Sequence, residues 1–187
     1  MSGDRAGIRT ALGALLKTLI ICLTALVSLG CAHRAEHRQY PGVADYDAQF
    51  LKSMLDHHMN WDRMIDPCVE KGGLHQELHD VCSEMEKART AEAAQMTSML
   101  KQWYNEEPPA PDLYPLWLGT LNGSEFESNF LKEMSDHHSD GIEMSAKCAS
   151  NATHAELKQL CTRMLEEQKS EQKRLKQYSC EWFQKCQ

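Results

Sequence analysis

The chain repeats itself at an interval of eighty residues. Residues 47–68 read DAQFLKSMLDHHMNWDRMIDPC and residues 127–148 read ESNFLKEMSDHHSDGIEMSAKC. Nine of these twenty-two positions are identical: Phe50/Phe130, Leu51/Leu131, Lys52/Lys132, Met54/Met134, Asp56/Asp136, His57/His137, His58/His138, Met64/Met144 and Cys68/Cys148. At an offset of 79 the match continues through His75/His154, Glu77/Glu156, Leu78/Leu157, Cys82/Cys161, Met85/Met164, Glu92/Glu171 and Trp103/Trp182. A duplicated unit that keeps a His-His pair, two Met and two Cys is keeping polar and sulfur chemistry as well as a core.

Periodicity assigns the repeat to helices. Phe50, Met54, His57, Trp61, Met64 and Cys68 fall at steps of four and three, the stripe of a packed amphipathic helix. Phe130, Met134, His137, Gly141, Met144 and Cys148 are the matching stripe. A second helix is expected from about His75 to Tyr104, after Gly72-Gly73, with Leu78, Cys82, Met85, Met96, Met99 and Trp103 inward. A last helix is expected from His154 to about Cys180. Ser124-x-x-Glu127 and Thr153-x-x-Glu156 read as capping boxes for the third and fourth helices. No period-two strand pattern occurs. The expectation is an all-α, antiparallel four-helix bundle built from two related hairpins, residues 47–104 and 124–183. A Pro-rich crossover over residues 105–123, carrying Leu113, Tyr114, Leu116 and Trp117, joins them on the bundle surface.

The first thirty residues do not belong to that bundle. Arg5, Arg9 and Lys17 precede a twelve-residue apolar run, Thr18 to Leu29, which matches a signal-peptide core. A bilayer span needs about 20 apolar residues. Val27-Ser28-Leu29-Gly30-Cys31 is similar to a bacterial lipoprotein processing site, with Cys31 as the lipidated residue and the membrane as its partner. Cleavage just after Cys31, releasing an unanchored protein, is the other reading. Residues 31–44 form a polar tether, and 45–187 the bundle. Removing residues 1–30 takes away Asp4 against Arg5, Arg9 and Lys17, so the net charge moves from −7 to −9. Such a chain has no electrostatic footprint for nucleic acid.

Six cysteines remain beyond Cys22 and Cys31, an even number that fits disulfides in an exported protein. Cys68/Cys82 and Cys148/Cys161 occupy equivalent places and are expected to clamp the open ends of the two hairpins. Elimination leaves Cys180 with Cys186. Six residues of intact helix rise about 9 Å, beyond disulfide reach, so this bridge requires the last helix to end near Cys180.

F-L-K-x-M-x-D-H-H, followed by Met six residues after the second His, resembles domain-of-unknown-function family 305. The resemblance covers about Asp47 to Tyr104 and Glu127 to Phe183. In the second helix, Gln168, Glu171, Leu175 and Trp182 follow that family's pattern, whereas the first half has Arg89 in place of the Gln but keeps Glu92, Met96 and Trp103. After the His pair Gly141-Ile142 fits and Trp61-Asp62 departs. The resemblance implies a ferritin-like four-helix bundle and, for some members, handling of copper or silver in the bacterial envelope.

The residues support a metal independently. Met54 lies three residues before His57 and four before His58, spacings that share a helix face. An approximate two-fold axis would gather Met54, His57, Met134 and His137, with His58 and His138 beside them. Met64, about 10 Å further along the axis, would form a second, softer site with Met144. Imidazole with thioether suits Cu(I) or Ag(I), and copper heads the divalent affinity order. Asp56 and Asp136 are read as orienting the histidines or binding solvent, not as ligands. His75 and His154 are read as exposed.

Catalysis has no candidate constellation. No Glu-x-x-His, Cys-x-x-Cys-His or His-Glu-x-x-His occurs, and the paired cysteines leave no thiol nucleophile. The expected function is binding of copper, as Cu(I) or Cu(II), or of silver on the periplasmic side of the cell envelope, for sequestration, delivery or resistance. The competing expectation is a non-catalytic interaction bundle that presents a helix face or the Leu113 to Trp117 crossover to an unidentified protein partner.

Overall fold

The computed structural model describes residues 40, 42, 45–71, 75–110 and 117–186. The signal segment, Cys31, and Leu113, Tyr114 and Leu116 of the crossover lie outside the described residues. Four long helices follow in order: α1 (Tyr46–Glu70), α2 (Gln76–Tyr104), α3 (Gly123–Asn151) and α4 (Ala155–Phe183). A single 3-10 turn, Leu118–Thr120, precedes α3. Among the described residues there is no strand, and no helix is long and apolar enough to cross a membrane.

Local chemistry fixes the helix ends. Asp45 caps α1 by accepting from the N–H groups of Asp47 and Ala48 at 2.9 and 3.1 Å. Asn105 and Gln184 close α2 and α4 in left-handed backbone with φ of 53° and 56°, each returning its N–H to carbonyls of the last turn. The two expected capping boxes do not form. α3 is entered through Asn122 and α4 through His154, neither with a side-chain cap. The carboxylate of Glu127 and the hydroxyl of Thr153 are used for contacts between the hairpins instead.

Those contacts set the topology. Asp47, in the first turn of α1, is buried and accepts from the backbone N–H of Thr153 and His154 and from the Thr153 hydroxyl. Its Oδ2 also meets His154 Nδ1 at 2.7 Å, and the His154 ring stacks on Trp103 at 3.9 Å. Glu127, in the second turn of α3, does the same for the start of α2. It accepts from His75 N–H and meets His75 Nδ1 at 2.9 Å, and that ring stacks on Trp182 at 4.1 Å. The His75 and His154 side chains are 45% and 40% exposed, as expected at the helix starts, and each ring is held by a carboxylate and an indole. The start of α1 therefore lies beside the end of α3, and the end of α1 beside the start of α3. The hairpins meet antiparallel, related by an approximate two-fold axis.

The two ends of the crossover accordingly lie at opposite poles of the bundle. Its beginning is tied to the start of α1 by the Lys52–Glu106 ion pair. Its end is tied to the other pole, where Lys71 Nζ donates to the Gly119 carbonyl at 3.1 Å and Leu118 is buried.

All three disulfides form as expected, with Cα–Cα distances of 6.1, 5.8 and 4.3 Å for Cys68–Cys82, Cys148–Cys161 and Cys180–Cys186. α4 continues three residues past Cys180 before Gln184 turns the chain back and brings Cys186 within reach. The core divides into two apolar clusters. One gathers Phe50, Leu51, Met54, Met96, Met144, Met164 and the Cys148–Cys161 bridge. The other gathers Trp61, Met64, Met85, Phe130, Met134 and the Cys68–Cys82 bridge. The duplicated histidines lie in sequence between the residues of the two clusters.

Candidate functional site

α1 and α3 form the main interface between the hairpins, and their His-His pairs meet there. The rings of His57 and His137 lie nearly face to face, centroids 3.8 Å apart and planes 31° from parallel. Their neighbours point elsewhere, as the 100° step of a helix demands. His57–His58 and His137–His138 centroids are 6.2 and 6.5 Å apart. His58 and His138 are the buried members, at 2% and 1% exposure, while His57 and His137 are half-buried.

Each buried histidine meets a glutamate of its own hairpin. His58 Nε2 is 2.9 Å from Glu92 Oε2, and His138 Nε2 is 3.0 Å from Glu171 Oε2. His138 Nδ1 also donates to the Met134 carbonyl at 2.8 Å. One guanidinium joins the pairs: Arg89 donates to Glu92 Oε2 at 2.7 Å and to Glu171 Oε2 through its other terminal nitrogen. Arg89 is only 3% exposed. Burial by itself would raise the Glu92 carboxyl, but the hydrogen bond with His58 and the charge of Arg89 overcome it and pull it down to about 2. Glu167 moves the other way, raised first by burial and then by the negative charge of Glu92.

His137 is held neutral. Burial pushes its imidazole well below 6.5, and the positive charge of His138, His58 and Arg89 adds to the effect. The ring keeps some accessible area, but its Nε2 has none, and among the described residues that nitrogen has no hydrogen-bond partner. A neutral, desolvated imidazole nitrogen with an unused lone pair is what a metal ligand must offer. Two rings stacked face to face do not aim their lone pairs at one point, so an ion shared by His57 and His137 requires the rings to turn.

The structure groups the methionines differently from the sequence expectation. Because α1 and α3 run antiparallel, residues before His57 share a layer with residues after His137. Met54 therefore falls in one core cluster with Met144, and Met64 in the other with Met134. The thioethers flank the histidine layer on both sides, and Met54 does not join Met134. Met54 and Met134 are fully buried, and Met64 and Met144 nearly so, at 9% and 5% exposure. Met134 is further engaged: Trp61 Nε1–H donates to its sulfur at 2.9 Å. The repeat gives Trp61 the counterpart Gly141, and there the gap is filled by Gln168, whose Oε1 lies 2.0 Å from where a Cβ would stand.

Asp136, expected either to orient a histidine or to bind solvent, is exposed and pairs with Lys132 at 2.8 Å, so it does not orient a histidine. That role belongs to Glu92 and Glu171. The signal for them was in the sequence, as identical residues at an offset of 79 on the facing helices, but nothing in the spacing placed Arg89 between them.

The family model described as "Domain of unknown function (DUF305)" matches residues 43–112 and 117–179, one match for each hairpin. The chain belongs to the DUF305 family. Among solved structures, CopM in a silver-bound form is 25% identical, covering 73% of this chain and 96% of CopM with a TM-score of 0.65. CopM in its Cu(I)-bound form is 24% identical, covering 73% and 97%, with a TM-score of 0.67. A DUF305 fragment from Deinococcus radiodurans is 20% identical, covering 71% and 94%, with a TM-score of 0.63. No curated protein matches the chain. These likenesses fit a DUF305 bundle in which the duplicated His-His layer is the polar centre.

Proposed function

We propose that this DUF305 protein binds a soft monovalent metal, Cu(I) or Ag(I), at the α1–α3 interface, for sequestration or delivery in the bacterial envelope. The observation that carries the reading is the His57/His137 contact at 3.8 Å, with a neutral His137 whose buried Nε2 is unsatisfied, between two layers of thioethers. Soft cations prefer imidazole and thioether donors, and the disulfides remove thiolates from competition. The similarity to CopM, solved with silver and with copper, supports the same class of ion. Of the two thioethers nearest the histidines in sequence, Met54 is the better placed, since Trp61 already occupies Met134.

Residues 1–31 are read as the export signal and lipid-attachment site, which would tether the bundle to the periplasmic side of a membrane through Cys31. The protein acts by binding and not by catalysis. The test is retention of Ag(I) by purified protein through gel filtration. Wild type is expected to keep a stoichiometric ion, and His57→Ala/His137→Ala to lose it. Equal retention by both proteins would refute the reading. A second reading, a protein-interaction bundle, draws on Trp117, which is 50% exposed at the end of the crossover. It predicts a partner whose binding survives the double His substitution and is lost with Trp117→Ala.

A further inference from the structure

The polar layer contains a second set of donors that the soft-metal reading does not use. Glu92 and Glu171 converge on one cation that is part of the protein, and His58 and His138 meet the same two carboxylates from the other side. The Oε2 atoms of both glutamates touch the Arg89 guanidinium, and the same two oxygens face the Nε2 atoms of the two histidines. Two carboxylates and two imidazoles, one of each from either hairpin, make a donor set suited to a divalent transition ion. We propose that Arg89 is a built-in plug in a two-histidine, two-glutamate divalent-cation site, keeping such ions out of the bundle centre.

Three observations beyond the clustering of acids point to a metal-type site. The first is the orientation of His138. Its Nδ1 donates to the Met134 carbonyl at 2.8 Å, the arrangement by which proteins fix a metal-binding imidazole with Nε2 aimed inward. The 3.0 Å contact between Nε2 and Glu171 Oε2 takes a proton on Nε2, and a metal ion bound between the two would displace that proton. The second is unsatisfied donor capacity. Among the described residues His58 Nδ1 is buried without a hydrogen-bond partner, on a residue 2% exposed. The third is a further carboxyl: Glu167 stands beside Glu92.

The plug also explains why the site is closed as it stands. Among the described residues no three His, Cys, Asp or Glu stand close enough to hold an ion. The forked guanidinium spaces the carboxylates, donating to each from a different nitrogen. It is itself held over the Trp61 ring, 6.0 Å from the centroid. The repeat-equivalent residue in the other hairpin is Gln168, which carries no charge. Substituting that residue type for Arg89 removes the cation and leaves the four donors.

The test uses Co(II), whose visible spectrum reports its ligands, added to purified protein with its disulfides intact. Arg89→Gln is expected to gain one bound Co(II) per chain relative to wild type, with nitrogen–oxygen ligand-field bands. Arg89→Gln/Glu171→Gln is expected to lose that ion. Arg89→Lys, which keeps a positive charge, is expected to gain none. A folded Arg89→Gln that binds no more Co(II) than wild type would overturn the proposal, as would a gained ion that survives Glu171→Gln. If Arg89→Gln is unfolded alone, Co(II) is expected to restore its helical circular dichroism, and failure to do so counts against the plug. Silver retention by wild type is read in parallel. Its loss would remove the soft-metal reading and leave the Arg89 result standing.

Discussion

The two hairpins share a frame and differ at its centre. Each has a disulfide clamp, a carboxylate near the start of its first helix that holds the other hairpin's His and backbone N–H, a His-indole stack, and a buried His-Glu pair. The first hairpin then places Trp61 and Arg89 where the second has Gly141 and Gln168. The exchange is compensated within each half. A large indole accompanies a cation that stacks on it, whereas a residue without a side chain accompanies an amide that fills its space. One consequence is chemical: the Met134 thioether accepts an indole N–H, and Gly141 presents no such donor. Duplication has preserved the supports and let the two sides of the histidine layer diverge.

The comparison breaks first at Trp61. Trp61→Ala removes a side chain that is 1% exposed, and urea unfolding should report a loss of about 3–5 kcal/mol. A loss under 1 kcal/mol would mean that Trp61 does not support the first half as described. The clamps come next. Opening Cys68–Cys82 or Cys148–Cys161 by double Ser substitution should cost about 3 kcal/mol each in the chain-entropy account, and Cys180–Cys186, which closes a shorter loop, about 2 kcal/mol. Unequal costs for the two hairpin clamps would show that the frame is less symmetric than its geometry. Gly141→Ala should cost about 1–3 kcal/mol by overpacking, because the new methyl would stand 2.0 Å from Gln168 Oε1. Adding Gln168→Ala should relieve that cost, and two simply additive penalties would argue against the fit.

Acid sharpens the comparison in two steps. His137 has its folded pKa depressed below 6.5, so the folded state resists protonation. Its contribution is complete above pH 6.5 and falls away as the pH drops below that value. Glu92 is depressed from 4.5 to about 2, so its contribution is present above pH 4.5 and is lost between there and about pH 2. Thermal melts of metal-free protein should show both declines. His137→Phe should reduce the first and leave the second.

Much of the fold was legible because it rests on periodicity and identity. The stripes from Phe50 to Cys68 and from Phe130 to Cys148 gave the helices, and the repeat gave the cysteine pairs. The direction in which the hairpins meet was not legible. It depends on Asp47 reaching His154 and Glu127 reaching His75 across more than fifty residues, and local patterns do not encode such contacts. The error in grouping the methionines follows from that gap, since antiparallel packing sends Met54 to Met144 and Met134 to Met64. The capping boxes misled for the same reason: Glu127 and Thr153 gained more from partners in the other hairpin than from their own helix ends. Arg89 appeared in the sequence only as a departure from the Gln pattern, and its role emerged when Glu92 and Glu171 were seen on either side of it.

Locating silver by anomalous diffraction in crystals of the intact bundle tests the central claim most directly. The expected result is an ion between α1 and α3, bonded to His57 and His137 with their rings turned out of the present stack. Silver found only at His75, His154 or other surface groups, with the His57/His137 stack undisturbed, would contradict it.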